Sequence, residues 1–231
     1  MVKAFVFDWD GTLVNTLELT HSVYNDVFAL LGKRKVSFKD FKRLFGRDHG
    51  PLYDFVGLSK IEREKVDEMW IETYNRRQRE IKLYPHVVPF LHGLKNSGAK
   101  LGLVSSGKAW RVVQELEILG LKNFFDAVVT VEQISHPKPN PEGLLVAAKK
   151  LGIMPSECLY VGDMQEDVIA GKRARMKTAI VLHGMHGRQA LARLKPDFVF
   201  RSFRTIPKSL QQFLEKINRQ EKLGQLKKQW S

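Results

Sequence analysis

The 231 residues contain a single cysteine, Cys158. That excludes a disulfide within the chain and any zinc site built from cysteine pairs. No apolar run approaches the roughly 20 residues that a membrane span requires, so no membrane partner is expected. The opening Met1-Val2-Lys3-Ala4-Phe5-Val6-Phe7 is too short for a secretion signal and lacks a small-residue cleavage site. A cytoplasmic protein is the expectation. No internal repeat or low-complexity segment is present either. Acidic residues are scarce beside basic ones: 25 Asp and Glu stand against 38 Lys and Arg, a formal net charge of +13. An excess of this size can signal a nucleic-acid partner. Its distribution argues otherwise, because residues 201–231 carry eight basic and two acidic side chains and so hold +6 of it. The remaining +7 needs no nucleic acid to explain it.

What is present is an ordinary soluble composition, with 43% apolar and 27% charged residues. The length suits one large domain carrying a smaller insert. Short apolar runs recur at Ala4–Phe7, Leu101–Val104, Ala127–Val131, Leu159–Val161, Thr178–Leu182 and Phe198–Phe200. Continuous runs of this kind fit strands buried on both faces of a parallel sheet. Helix-period segments lie between them and run into Gly98, Gly120 and Gly152, residues suited to a helix C-cap. The alternation predicts an α/β, doubly wound parallel sheet formed by residues 1–14 and 85–231.

Residues 15–84 break that rhythm, since no strand-like run occurs among them. Asn15 or Thr16 can start a helix that Gly32 stops. Ser37-Phe38-Lys39-Asp40 and Ser59-Lys60-Ile61-Glu62 match the capping-box pattern. Val66, Met69, Trp70, Thr73 and Tyr74 fall at helical spacing and read as the core of a small bundle. An inserted, all-helical cap domain is expected here.

The chemistry begins at Asp8-Trp9-Asp10-Gly11-Thr12. Strand alternation starts Asp8 and Asp10 on one side of the chain. Two close carboxylates repel unless a cation or a shared proton offsets them, so the pair is a metal or acid–base candidate. A calcium loop would need Gly at its sixth position, where Leu13 stands. Three further features follow in order: Ser105 (with Ser106) closing an apolar run, Lys138-Pro139-Asn140-Pro141, and Gly162-Asp163 with Asp167 four residues on. In this order they resemble the four motifs of the haloacid dehalogenase (HAD) superfamily, whose core is Rossmann-like. The likeness spans Ala4 to about Phe200.

The resemblance implies roles for these residues. Asp8 corresponds to the nucleophile that forms an aspartyl phosphate. Asp10 corresponds to the acid that protonates the leaving oxygen and then the base that activates water. Ser105, Ser106 and Lys138 correspond to phosphate-binding groups. Mg²⁺ would be held by Asp8, the Asp10 backbone, Asp163 and, through water or as a second layer, Asp167. The implied activity is a phosphatase acting on a small phosphorylated metabolite of the phosphoglycolate or sugar-phosphate type, in a monomer or homodimer.

Departures from the motifs include Asn15, Met164, Pro137, His86 and Arg175, the last near a position usually held by glycine. None removes a charge from the reaction. An aromatic residue in place of Asp10 would resemble the dehalogenases and a small one the phosphonate hydrolases. A phosphomutase shares all four motifs, but the similar mutases carry a histidine at the position of Thr20, and here it is His21. Arg47 and His49, in the polar loop Gly46–Gly50, are the candidates for substrate selection. His183-Gly184-Met185-His186 reads as a loop, and the segment from Pro207 as a basic helix. A basic nucleic-acid-binding or scaffold protein without turnover is the alternative from a different class.

Overall fold

The computed structural model describes residues 2–46, 48–183 and 193–205. The chain forms two compact units, Met1–Val14 with Leu83–Ser231, and Asn15–Lys82. Among the described residues the first unit holds six strands: β1 (Ala4–Phe7), β2 (Lys100–Val104), β3 (Ala127–Val129), β4 (Cys158–Gly162), β5 (Lys177–Val181) and β6 (Phe198–Phe200). They form one sheet in the order β3-β2-β1-β4-β5-β6, and every pairing is parallel. This is the α/β sheet that the apolar runs predict. The third strand is shorter than its apolar run, because a 3-10 turn at Val131–Gln133 takes over where the strand had been expected to continue.

Helices α5 (Val87–Asn96), α6 (Ala109–Ile118), α7 (Glu142–Leu151) and α8 (Gln165–Arg173) belong to this unit. Strand alternation sorts the core. Ala4 and Val6 of β1, Val104 of β2, Cys158 and Tyr160 of β4, Leu144 and Ala147 of α7 and Ala170 of α8 share one buried cluster. On β1, Phe7 packs edge-on against Phe90 of α5, with ring centroids 6.1 Å apart. Odd and even positions of β1 therefore serve two different cores, as a doubly wound sheet requires. Cys158, buried at the start of β4, is a small apolar packing residue whose thiol burial pushes up to about 11.

The second unit is built from α1 (Thr16–Leu30), α2 (Phe38–Leu44), α3 (Gly50–Val56) and α4 (Lys60–Arg77). Ser37 accepts from the Asp40 amide and donates its hydroxyl to the Asp40 carboxylate. Ser59 and Glu62 complete a reciprocal capping box at the start of α4. Val66, Thr73 and Tyr74 of the predicted stripe are buried, and Tyr24 packs against Phe28, Phe41 and Trp70. His21, one residue past the position of the mutase-type histidine, donates from Nε2 to the Val36 carbonyl at 2.7 Å.

Candidate active site

Parallel pairing brings the carboxyl ends of three strands side by side. Phe7 lies in register with Leu103 on one neighbour and Val161 on the other. Asp8, Ser105 and Asp163 therefore leave the sheet at one edge, where open α/β sheets bind ligands. The Asp8 amide donates to the Val161 carbonyl at 2.9 Å and the Ser105 amide to the Val129 carbonyl at 2.9 Å.

Lys138 reaches this edge from the loop before α7. Its Nζ lies 2.5 Å from Asp8 Oδ1, 2.8 Å from Asp167 Oδ1 and 3.2 Å from the Tyr160 hydroxyl. Tyr160 itself donates to Asp167 Oδ1 at 2.9 Å. The second Asp167 oxygen accepts from the amides of Asp163 and Met164. Thr12 ties the strand ends together, donating to Asp163 Oδ1 at 2.9 Å and approaching Asp8 Oδ2 at 3.3 Å. The Thr12 carbonyl accepts from His183 Nε2. His183 thus serves as a loop anchor; its sequence neighbours Gly184 to His186 lie outside the described residues.

Three buried carboxylates against one ammonium is an electrostatically loaded arrangement. Burial pushes the Asp8 carboxyl up to about 7; Lys138 opposes the shift, while the Asp167 charge adds to it. Asp163 is held well above the usual carboxylate range, by burial first and then by Asp167 and Asp8. Burial alone would lower the Lys138 ammonium, yet Asp167 and Asp8 hold it above its ordinary value. Asp8, Asp163 and Asp167 each offer an oxygen within 4.8 Å of the others. An all-oxygen, buried and mutually repelling set suits a hard divalent cation.

Asp10 sits at the side of this cluster. Its carboxylate accepts from Arg111 on both oxygens, at 2.8 and 2.6 Å, and from Ser105 Oγ at 3.3 Å. Ser105 in turn accepts from the Gly107 amide, whereas Ser106 is exposed. The structure therefore draws Asp8, Asp10, Ser105, Lys138, Asp163 and Asp167 into one place. Tyr160, Arg111 and Glu115 join them without having been singled out from the sequence, and Thr12 joins them from within the first motif. Arg111 and Glu115 are four residues apart, which puts them on one helix face, but that spacing is equally common on solvated helices.

His49 belongs to the helical unit. Its Nδ1 lies 3.1 Å from the Tyr24 hydroxyl, its ring stacks on Phe45, and burial lowers its pKa. A depression lined by His49, Tyr53, Lys60, Arg63 and Asp67 opens beside it. Arg47 lies outside the described residues.

A parallel doubly wound sheet with a buried lysine set among three buried carboxylates at its carboxyl edge has the elements of a site for a divalent cation and an anionic ligand. Comparison with known proteins gives the family. Residues 5–181 match the model of the haloacid dehalogenase-like hydrolases, and the chain belongs to that family. It is 36% identical over 202 residues to the pyrophosphatase PpaX of Bacillus velezensis, covering 86% of this chain and 91% of that protein. The pyrophosphatase PpaX of Oceanobacillus iheyensis is 30% identical over 209 residues, covering 89% and 95%. Among solved structures, a protein described as a predicted phosphoglycolate phosphatase from Haemophilus somnus 129Pt superposes with a TM-score of 0.80 at 25% identity, covering 87% and 95%.

Proposed function

We propose that this chain is a Mg²⁺-dependent phosphatase that hydrolyses small phosphorylated metabolites through an aspartyl phosphate on Asp8. The observation that carries the reading is Lys138 Nζ lodged between Asp8 and Asp167 at 2.5 and 2.8 Å, beside Asp163, at the carboxyl edge of the sheet. The relatives' names, pyrophosphatase and phosphoglycolate phosphatase, support a small phosphoanion as substrate. A cytoplasmic setting fits a metabolite of that kind, and among the described residues no helix is long and apolar enough to cross a membrane.

The metal would be held by Asp8, the Asp10 carbonyl and Asp163, with Asp167 behind them. When bound, Mg²⁺ supplies the positive charge that lets a phosphate dianion approach two carboxylates. The protein's own residues do the rest. An Asp8 oxygen attacks phosphorus, the bond to the leaving oxygen breaks, and that oxygen takes a proton from Asp10. In the second step Asp10 takes a proton from water as the water oxygen attacks phosphorus, which frees Asp8 and releases phosphate. Lys138 and Ser105 offset charge on the phosphoryl oxygens. Thr12 and Tyr160 keep Asp163 and Asp167 oriented. Substrate choice is assigned to the cap loop with Arg47 and His49, and the helical unit 15–82 is read as that cap.

The test is phosphate release from a panel of monoesters and inorganic pyrophosphate, with p-nitrophenyl phosphate as the generic reporter. Release is expected with Mg²⁺, abolished by EDTA and absent in Asp8→Asn. Robust turnover in EDTA would sink the mechanism.

A further inference from the structure

A chain of four side chains leaves the first motif at Trp9 and returns to it at Asp10. The Trp9 indole is fully buried, and its Nε1–H donates to Glu115 Oε2 at 2.5 Å. Glu115 is also fully buried, and its Oε1 accepts from Arg111 Nη1 at 3.0 Å, one turn earlier in α6. Arg111, whose side chain is 12% exposed, places two nitrogens on the two oxygens of Asp10. A Cβ on Gly107 would collide with the Arg111 guanidinium, so the glycine after Ser106 leaves the space that the guanidinium fills.

Stability alone does not account for this arrangement. Burying a glutamate costs several kcal/mol unless it is paired, and well-packed apolar residues usually do as well or better. The charges do achieve a geometric result. Asp10 is about one-third exposed, so its carboxyl would otherwise rotate between orientations. A planar guanidinium with fixed donors holds both oxygens at once, and Glu115 fixes the guanidinium in turn. Oδ2 also accepts from Ser105 Oγ at 3.3 Å, so the carboxyl plane is held from two sides, and in the first step it is the protonated carboxyl that must face the leaving oxygen.

We infer that Arg111 is a positioning residue for Asp10, set in place by Glu115 and Trp9, and that it aims the Asp10 carboxyl at the leaving oxygen in the first chemical step. The inference rests on the proposed phosphatase reading and adds to it a residue that acts only through Asp10. An alkoxide needs a correctly aimed acid to depart, whereas p-nitrophenolate departs with little help. A misaimed acid therefore slows one class of ester and largely spares the other.

The experiment is rapid-quench measurement of the first step, under saturating Mg²⁺, with β-glycerophosphate and p-nitrophenyl phosphate. The proteins are wild type, Arg111→Ala, Arg111→Lys, Asp10→Asn and the Arg111→Ala/Asp10→Asn double variant. Arg111→Ala should slow the alkyl ester about ten- to hundredfold, the scale of a misplaced reacting group, and the aryl ester only a few-fold. Substrate KM should stay nearly unchanged. Added guanidinium should restore part of the loss. Because Arg111→Ala strands Glu115, Arg111→Lys serves as the variant that keeps a cation beside it. It cannot fork and should show the same selective loss, smaller in size. The double variant should be no slower than Asp10→Asn, since a residue acting through Asp10 has nothing left to aim. Equal slowing of both esters, a raised KM, or additive losses in the double variant would overturn the inference while leaving the phosphatase reading intact. A wild type that releases phosphate from neither ester would remove that reading and this inference with it.

Discussion

At the scale of single residues, the first motif is a tight steric arrangement. Gly11 has φ +77°, and a Cβ there would lie 2.6 Å from Asp163 Oδ2. Gly11→Ala therefore faces both the left-handed backbone cost of about 1–2 kcal/mol and a collision with an acidic residue of the site. Urea unfolding should show a loss of at least that size, and Mg²⁺-dependent activity should fall by more than tenfold. Asp8 carries a second residue-scale expectation. Burial pushes its carboxyl up from an ordinary 3.8 to about 7. In that window the folded state binds more protons than the unfolded chain, so stability without metal falls as pH rises from about 4 to about 7. Asp8→Asn removes the titrating group and should flatten this fall. Chemical denaturation of both proteins in EDTA at several pH values checks it, the difference reporting Asp8 together with the groups its charge acts on. Parallel curves would refute the assigned shift.

At the scale of elements, local chemistry explains most helix boundaries. The Ser59–Glu62 capping box satisfies free amides at the start of α4. Ser59→Ala should cost about 1 kcal/mol, read as a lower denaturation midpoint with little change in phosphate release from p-nitrophenyl phosphate. Gly152 closes α7 in the left-handed conformation, as its place after the helical segment predicts. Two elements depart from residue preference. His86 at the start of α5 has φ +68°, and Arg175 after α8 has φ +59°. Both take a conformation in which a Cβ is crowded. Position 175 lies near one where the resemblance leads one to expect glycine, and the chain makes the left-handed turn with arginine. The third strand ends before its apolar run does, for a different reason. Thr130-Val131 has the composition of a strand, but β-propensity reflects packing context more than backbone preference, and the chain turns after Val129.

At the scale of the whole molecule, a cation held by the buried acidic cluster would tie stability to its concentration. A ligand that binds only the folded state stabilises it by about 2.7 kcal/mol at a hundredfold excess over Kd. For a chain of this length each kcal/mol corresponds to about 2–4 °C in Tm. Mg²⁺ at that excess should therefore raise Tm by about 5–10 °C in calorimetry or fluorimetry, and Asp163→Asn should lose most of the rise. An unchanged Tm with saturating Mg²⁺ would count against the acidic cluster as the metal's place. The sequence by itself set the alternation of strands and helices, the helical character expected of residues 15–84 and the choice of Asp8, Ser105, Lys138, Asp163 and Asp167 as candidates. These rest on periodicity, caps and motif order, which are local properties. Only the tertiary structure decided the partners. Arg111 meets Asp10 across 101 residues, Trp9 meets Glu115 across 106, and Lys138 meets Asp8 across 130. Periodicity tells which side of its own element a residue occupies. It does not tell which element lies opposite, and that is settled by the order in which the parallel strands pair.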